Sequence, residues 1–227
     1  MNTAIIVAAG IGTRLDPARP KQFIEIHGKP LIVHTIGRFE SCSAVDEVIV
    51  VVAVEEVAAF NAMIEPYGFH KIKKIVAGGR LRAESVANGM AALDARTEVV
   101  AVHDGARPLV TGDEIERTIA KAREKGAACL VGTIADTIKE VDGDLVVGTL
   151  DRRQLRRALT PQAFRVDILK RAFDEAESLE QATDECFLVE QLGIPVEAVP
   201  GNSKNIKVTF PADLAVAEHF LREGNAD

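Results

Sequence analysis

A chain of 227 residues fits one large α/β domain, and a 47% hydrophobic share supplies a substantial core without disulfides or metals. Aromatics make up only 4%, with no Trp and one Tyr, so the core must be aliphatic, which suits a parallel sheet covered by helices on both faces. A formal charge of −7 argues against broad nucleic-acid binding, although a local basic cluster can still focus potential on a phosphate ligand.

In chain order, Met1-Asn2-Thr3 runs straight into a strand-like segment with neither a basic leader nor a cleavage site. No apolar stretch approaches the roughly 20 residues that span a bilayer, so a cytoplasmic protein without a membrane partner is expected. Strands are expected at Thr3–Ala8, Glu47–Val52, Ile72–Ala77, Val99–His103 and Ala127–Gly132. Helical spacing lies between them: Val86, Met90 and Leu93 recur at i, i+4, i+7, as do Ile115, Ile119 and Ala122. The alternation predicts βαβ units, that is, a Rossmann-like, mainly parallel sheet flanked by helices.

The rhythm changes after residue 136. Thr137–Val141 and Leu145–Thr149 flank Asp142-Gly143-Asp144, a strong hairpin signal. Such a hairpin has no obvious place in a parallel sheet and is expected to project as an arm, with an antiparallel edge of the main sheet as the alternative. Helices follow at Val166–Ala176 and Asp184–Leu192, then strands at Val196–Val199 and Asn205–Thr209. Pro211 opens a last helix with Leu214, Ala217 and Leu221 turned inward. With no linker or repeat, residues 1–227 form a single domain, and Cys42, Cys129 and Cys186, far apart, read as small buried hydrophobes.

The first strand leads into Ala8-Ala9-Gly10-Ile11-Gly12-Thr13-Arg14, then Pro20-Lys21. Ligands of open α/β sheets bind beyond the strands' carboxyl ends, where a glycine loop brings backbone N–H groups close to an anion. Leu15 stands where a dinucleotide fingerprint needs its third glycine, and no P-loop pattern occurs, which disfavours an NAD-dependent oxidoreductase. What remains is a glycine loop followed by two cations, Arg14 and Lys21, suited to charge developing at an α-phosphorus. Gly78-Gly79-Arg80-Leu81-Arg82-Ala83-Glu84-Ser85 can offer backbone N–H and a hydroxyl to a base edge, or can be an ordinary strand-to-helix turn. His103-Asp104-Gly105-Ala106-Arg107-Pro108 ends the fourth strand: Asp104 suits a hydroxyl or a metal, Arg107 a phosphate, and His103 the core. The histidines make no metal-ligand spacing. Arg152, Arg153, Arg156 and Arg157 form a basic patch at the base of the arm, and Lys207 follows a strand-like aliphatic.

Together these segments resemble the 2-C-methyl-D-erythritol 4-phosphate cytidylyltransferases of the non-mevalonate isoprenoid pathway, nearly end to end. The marks are A-A-G-x-G-x-R at 8–14 with Pro20-Lys21-Gln22, G-G-x-x-R-x-x-S at 78–85 and V-H-D-G-A-R-P at 102–108. Asp136-Thr137, Asp151-Arg152, Thr160-Pro161-Gln162, Thr183-Asp184-Glu185 and Asn205-Ile206-Lys207-Val208-Thr209 follow in the family's order. The resemblance implies that CTP and methylerythritol phosphate give the CDP-linked alcohol and pyrophosphate, with Mg²⁺ held mainly by the triphosphate and by no protein cage. It implies that Arg14 and Lys21 stabilise the α-phosphorus, and that Ala8, Ala9, Gly10, Gly12, Gly79, Arg80 and Ser85 surround the nucleotide. Asp104 would lie between ribose and acceptor hydroxyls beside Arg107, while Thr137, Arg152 and Thr160 would reach the acceptor phosphate from a partner's arm (136–160), helped by Lys207. The implied assembly is a homodimer with exchanged arms. Two positions depart from the family's pattern: Lys204, where an acidic residue is common, and Arg156, where an aromatic is common. Both lie on the acceptor side. A ribitol-5-phosphate cytidylyltransferase shares these features, and a non-catalytic nucleotide sensor is the alternative from another class.

Overall fold

The computed structural model describes residues 1–10, 15 and 21–223, with Lys21 by its backbone alone. A sheet of seven strands runs through the molecule: β1 (Asn2–Ala8), β4 (Glu47–Val52), β5 (Ile72–Ala77), β6 (Val99–Asp104), β7 (Ala127–Gly132), β10 (Arg157–Arg165) and β11 (Glu197–Pro200). Their order is β11-β7-β10-β6-β1-β4-β5, and every strand but β10 points the same way. The four aliphatic strands β1, β4, β5 and β6 and then β7 fall where their hydrophobic runs place them. A small ribbon of β2 (Glu25–Ile26) and β3 (Lys29–Pro30), not foreseen from the sequence, leads into α1 (Leu31–Glu40).

Alternation along the strands divides the core into two layers. Ala4, Ile6 and Ala8 of β1 face α1, α2 (Val57–Ile64) and α4 (Gly112–Lys125), meeting Ile36, Phe39, Phe60, Ile115 and Ile119. Ile5 of the same strand faces the other way, toward Val86 of α3 (Arg82–Ala91), in the layer that holds Leu169 of α5 (Val166–Asp174) and Val189 of α6 (Glu185–Gln191). Burial on both faces is what selects near-continuous Ile/Val runs over alternating polar ones. The helix over Pro211–Glu223, α7, closes a third cluster with Ala217 and Leu221 fully buried and Leu214 packed beside them. Thr111 caps α4 by accepting from the Glu114 N–H at 3.2 Å while Glu114 reaches back to the Thr111 N–H at 2.9 Å.

The hairpin stands apart from the main sheet as β8 (Lys139–Asp142) and β9 (Leu145–Thr149), as an arm would, with Gly143 at φ 55 in its turn. The arm ends earlier than the sequence suggested. Residues from Arg157 on form β10, which inserts between β6 and β7 as the one antiparallel strand. Pro161 lacks an N–H, and the register against β7 shifts between Ala158 and Gln162, the kind of irregularity that admits a proline inside a sheet. Thr160 therefore belongs to the central sheet, where it is buried, and not to the projecting arm. Asn205–Thr209, expected as a strand, joins no ladder; the Val208 N–H donating to the Ala106 carbonyl at 2.8 Å pins it just past the carboxyl end of β6.

Candidate active site

β1 is followed by β4 and β5 on one side, whereas β6 lies on its other side, so the strand order reverses between β1 and β6. A cleft of about 150 Å³ opens there, beyond the carboxyl ends of the strands, where open α/β sheets bind ligands. Ala8, Ala9 and Gly10 form one wall, Gly79, Arg80, Leu81, Arg82 and Ser85 the opposite one, and Asp104 and Lys207 the floor. The two walls touch: a Cβ on Gly78 would lie 2.4 Å from that of Ala9 and 2.8 Å from Ser85 Oγ, so only glycine fits. Ser85 braces its own loop, its hydroxyl accepting from the Gly79 N–H and donating to the Leu81 carbonyl, both at 3.1 Å. Arg80 lines the cleft and pairs its exposed guanidinium with Glu180, 3.5 Å away.

Asp104, the last residue of β6, is the electrostatic centre. Its Oδ1 accepts from Arg82 Nε at 3.1 Å, while Oδ2 lies 2.9 Å from Lys207 Nζ and 3.5 Å from Arg107 Nε. Burial opposes ionisation, but Arg82, Lys207 and Arg107 outweigh it and hold the carboxyl far below the usual carboxylate range. Arg82 also donates from Nη1 to Glu185 Oε1 at 2.6 Å. Burial raises the pKa of Glu185, opposed by the Arg82 guanidinium, whereas on Arg82 the two carboxylates prevail over burial and strengthen the positive charge. Neither Arg82 nor Glu185 was assigned a role from the sequence. Their signal was their place in the motifs at 78–85 and 183–185; the contact joining them links distant segments.

Of the residues singled out in the sequence, Ala8, Ala9, Gly10, Gly79, Arg80, Ser85, Asp104 and Lys207 meet in this cleft. Arg107 stands just behind Asp104, and Thr160 bonds the Asp104 N–H through its hydroxyl at 3.1 Å. Thr137 and Arg152 lie elsewhere, exposed at the foot of the hairpin, with Arg152 Nη1 donating to the Ala135 carbonyl. Gly12, Arg14 and the Lys21 side chain lie outside the described residues. Lys204 is directed to α7, 3.5 Å from Glu223 and over the Phe220 ring, and Arg156 bonds the Arg153 and Leu155 carbonyls. Cys42, Cys129 and Cys186 are free and buried.

His103 is completely buried beside Phe39, as a core histidine should be, and burial pushes its pKa down to about 3. Unfolded, it takes up a proton near its ordinary value of about 6.5. Between those values the unfolded chain binds more protons than the folded one, so this group makes stability fall as pH drops from about 6.5 toward 3, by up to about 1.4 kcal/mol per pH unit. Urea midpoints measured across that window should fall more gently for His103→Gln than for the wild type; parallel slopes would refute a neutral buried imidazole.

Comparison with known proteins assigns the family. Residues 2–223 match the model of the IspD family, 2-C-methyl-D-erythritol 4-phosphate cytidylyltransferase. Proteins of that name from Alkaliphilus metalliredigens and Syntrophus aciditrophicus are 45% and 44% identical to this chain over 224 residues, covering 97% of it and 93% and 95% of themselves. The crystal structure of the 4-diphosphocytidyl-2C-methyl-D-erythritol synthase from Anaerococcus prevotii superposes with a TM-score of 0.85 at 29% identity, over 98% of this chain and 96% of that one. A doubly covered, mostly parallel sheet, a cationic cleft at its switch point and a match running from end to end together place this chain in the 2-C-methyl-D-erythritol 4-phosphate cytidylyltransferase family.

Proposed function

We propose that the protein transfers a cytidylyl group from CTP to 2-C-methyl-D-erythritol 4-phosphate, releasing pyrophosphate, in the supply of isoprenoid precursors. The observation that carries the reading is the convergence of Arg82, Arg107 and Lys207 on Asp104 beside the backbone of Ala8–Gly10 and Gly79. Such a site offers backbone groups to a base, a carboxylate to hydroxyls and cations to phosphates. An acceptor phosphate oxygen would attack the α-phosphorus as the bond to the β-phosphate breaks. The attacking group is already an oxyanion, so orientation and charge stabilisation suffice and no general base is required. Arg14 and Lys21 are assigned to the charge on the pentacoordinate phosphorus, and Lys207, freed from Asp104, to the acceptor phosphate.

Among the described residues no three His, Cys, Asp or Glu side chains come together as a metal cage, and both oxygens of Asp104 face cations. The donors present therefore suit a magnesium ion only as a passenger on the triphosphate, where it would neutralise phosphate charge. A homodimer is part of the same reading. Val141, Leu145, Val146 and Val147 of the hairpin are each at least 58% exposed, an apolar surface suited to a second arm. Arg152 at its foot is assigned to the partner's acceptor phosphate. Arg152→Ala should then raise the acceptor KM with a smaller effect on the CTP KM, and an unchanged acceptor KM removes it from the site. No helix among the described residues is long and apolar enough to cross a membrane, and the free cysteines suit a reducing cytoplasm.

A pyrophosphate-release assay crossing four nucleoside triphosphates with methylerythritol phosphate, ribitol 5-phosphate and other polyol phosphates tests the reading. CTP with methylerythritol phosphate should give the highest kcat/KM. Preference for ribitol 5-phosphate would reassign the acceptor, and absence of turnover with every pair would favour a nucleotide sensor.

A further inference from the structure

Behind the cleft the polar groups that carry Asp104, Arg107 and Lys207 are joined in a closed ring. The Asp104 N–H donates to Thr160 Oγ1 at 3.1 Å, and Thr160 Oγ1 lies 3.0 Å from His103 Nδ1. His103 Nε2 lies 3.1 Å from the Arg107 carbonyl, Arg107 Nη1 donates to the Asn205 carbonyl at 3.0 Å, and Asn205 Nδ2 returns to the Thr160 carbonyl at 3.0 Å. The proton positions follow from donor and acceptor chemistry. A carbonyl only accepts, so Nε2 must carry the hydrogen; in a neutral ring Nδ1 then accepts, so the Thr160 hydroxyl donates to it and keeps a lone pair for the Asp104 N–H. Thr160, His103 and Asn205 are each at most 4% exposed, so no water competes freely for these bonds.

We infer that His103 is a positioning residue: through this ring it holds the Asp104–Arg107 turn, β10 and the segment bearing Lys207 in one geometry. The inference rests on the cytidylyltransferase reading of the cleft. Three segments distant in the chain meet here, and the imidazole sits where two of them join, tying Thr160 of β10 to the Arg107 peptide of its own turn. Lys207 stands two residues from Asn205, and its ammonium lies 2.9 Å from Asp104, so a shift of the Arg107–Asn205 contact moves a cation relative to the carboxylate.

The test compares His103→Phe, which fills the space beside Phe39 but makes neither bond, with His103→Gln, whose amide can donate near the Nε2 position. Ile119→Ala, a core truncation in α4 away from the ring, serves as the control for lost stability. His103→Phe is expected to fold and to lose about 100-fold in kcat, as misplacement of reacting groups by about 1 Å does, with KM for CTP changed far less. His103→Gln should recover at least about a tenth of wild-type kcat. Nitrogen-15 spectra of the wild type should show His103 protonated at Nε2 and bare at Nδ1 at neutral pH. Folded His103→Phe with wild-type kcat overturns the inference, as does an equal kcat loss in Ile119→Ala at a matched melting shift, or a proton on Nδ1. Absence of turnover in the wild type would overturn the reading of the cleft instead, while the tautomer still decides the ring.

Discussion

Asp104→Asn is expected to lower kcat/KM by about 100- to 1,000-fold and the melting midpoint by about 10 °C, while leaving triphosphate binding within a few-fold of wild type. The asparagine oxygen can still accept from Arg82, but an amide NH₂ would then face Lys207 Nζ, 2.9 Å from the present Oδ2. Breaking one partner of a buried ion pair costs about 3–5 kcal/mol, because the remaining charges lose their counter-ion. Here Arg82 keeps Glu185 as a partner, but Arg107 and Lys207, at 11% and 37% side-chain exposure, lose their counter-ion and face Arg82 across a neutral group. An anionic ligand relieves that repulsion, so calorimetry with CTP should show retained affinity where turnover has fallen. Unchanged melting and turnover together would show that Asp104 anchors nothing.

Arg14→Ala and Lys21→Ala form the second large expected effect: each should lower kcat by about 100- to 1,000-fold with little change in melting midpoint. Attack at the α-phosphorus transfers charge to its equatorial oxygens, and a cation that meets those oxygens binds the transition state more tightly than the ground state. The loss should therefore appear in kcat more than in the KM for CTP. Rates from single turnovers separate the chemical step from pyrophosphate release. Turnover retained in both variants would remove these residues from the reaction.

Much of the scaffold was legible in the chain. The aliphatic runs at 47–52 and 127–132 are strands over those same residues, because each is buried on both faces and needs no polar alternation, and 72–77 is the edge strand beside the first, with Lys73 and Lys74 exposed. Asp142-Gly143 marked the hairpin because a tight turn needs a residue that accepts positive φ. β10 was not legible: Arg157-Ala-Leu-Thr-Pro-Gln-Ala-Phe-Arg carries a proline and too little periodicity, and its place is set by β6 and β7 on either side. Residues 205–209 misled in the opposite way. Ile206 and Val208 alternate as in a strand, but those two serve the cluster under α7. The segment's polar groups bond Arg107 and Thr160 in place of a ladder.

The sequence by itself pointed to the family, marked the hairpin, and singled out Ala8–Gly10 and the glycines at 78–79 as candidate ligand loops. Those features are local: a glycine, a turn or an aliphatic run acts within a few residues, where composition and spacing can be read. Only the tertiary structure decided that Arg82 reaches Asp104 and Glu185, that Thr160 stands in the central sheet, and that His103 joins the turn after β6 to β10. Charge pairs and buried hydrogen bonds form between side chains brought together by the sheet's strand order, and nothing in the chain's periodicity encodes which partner each one meets.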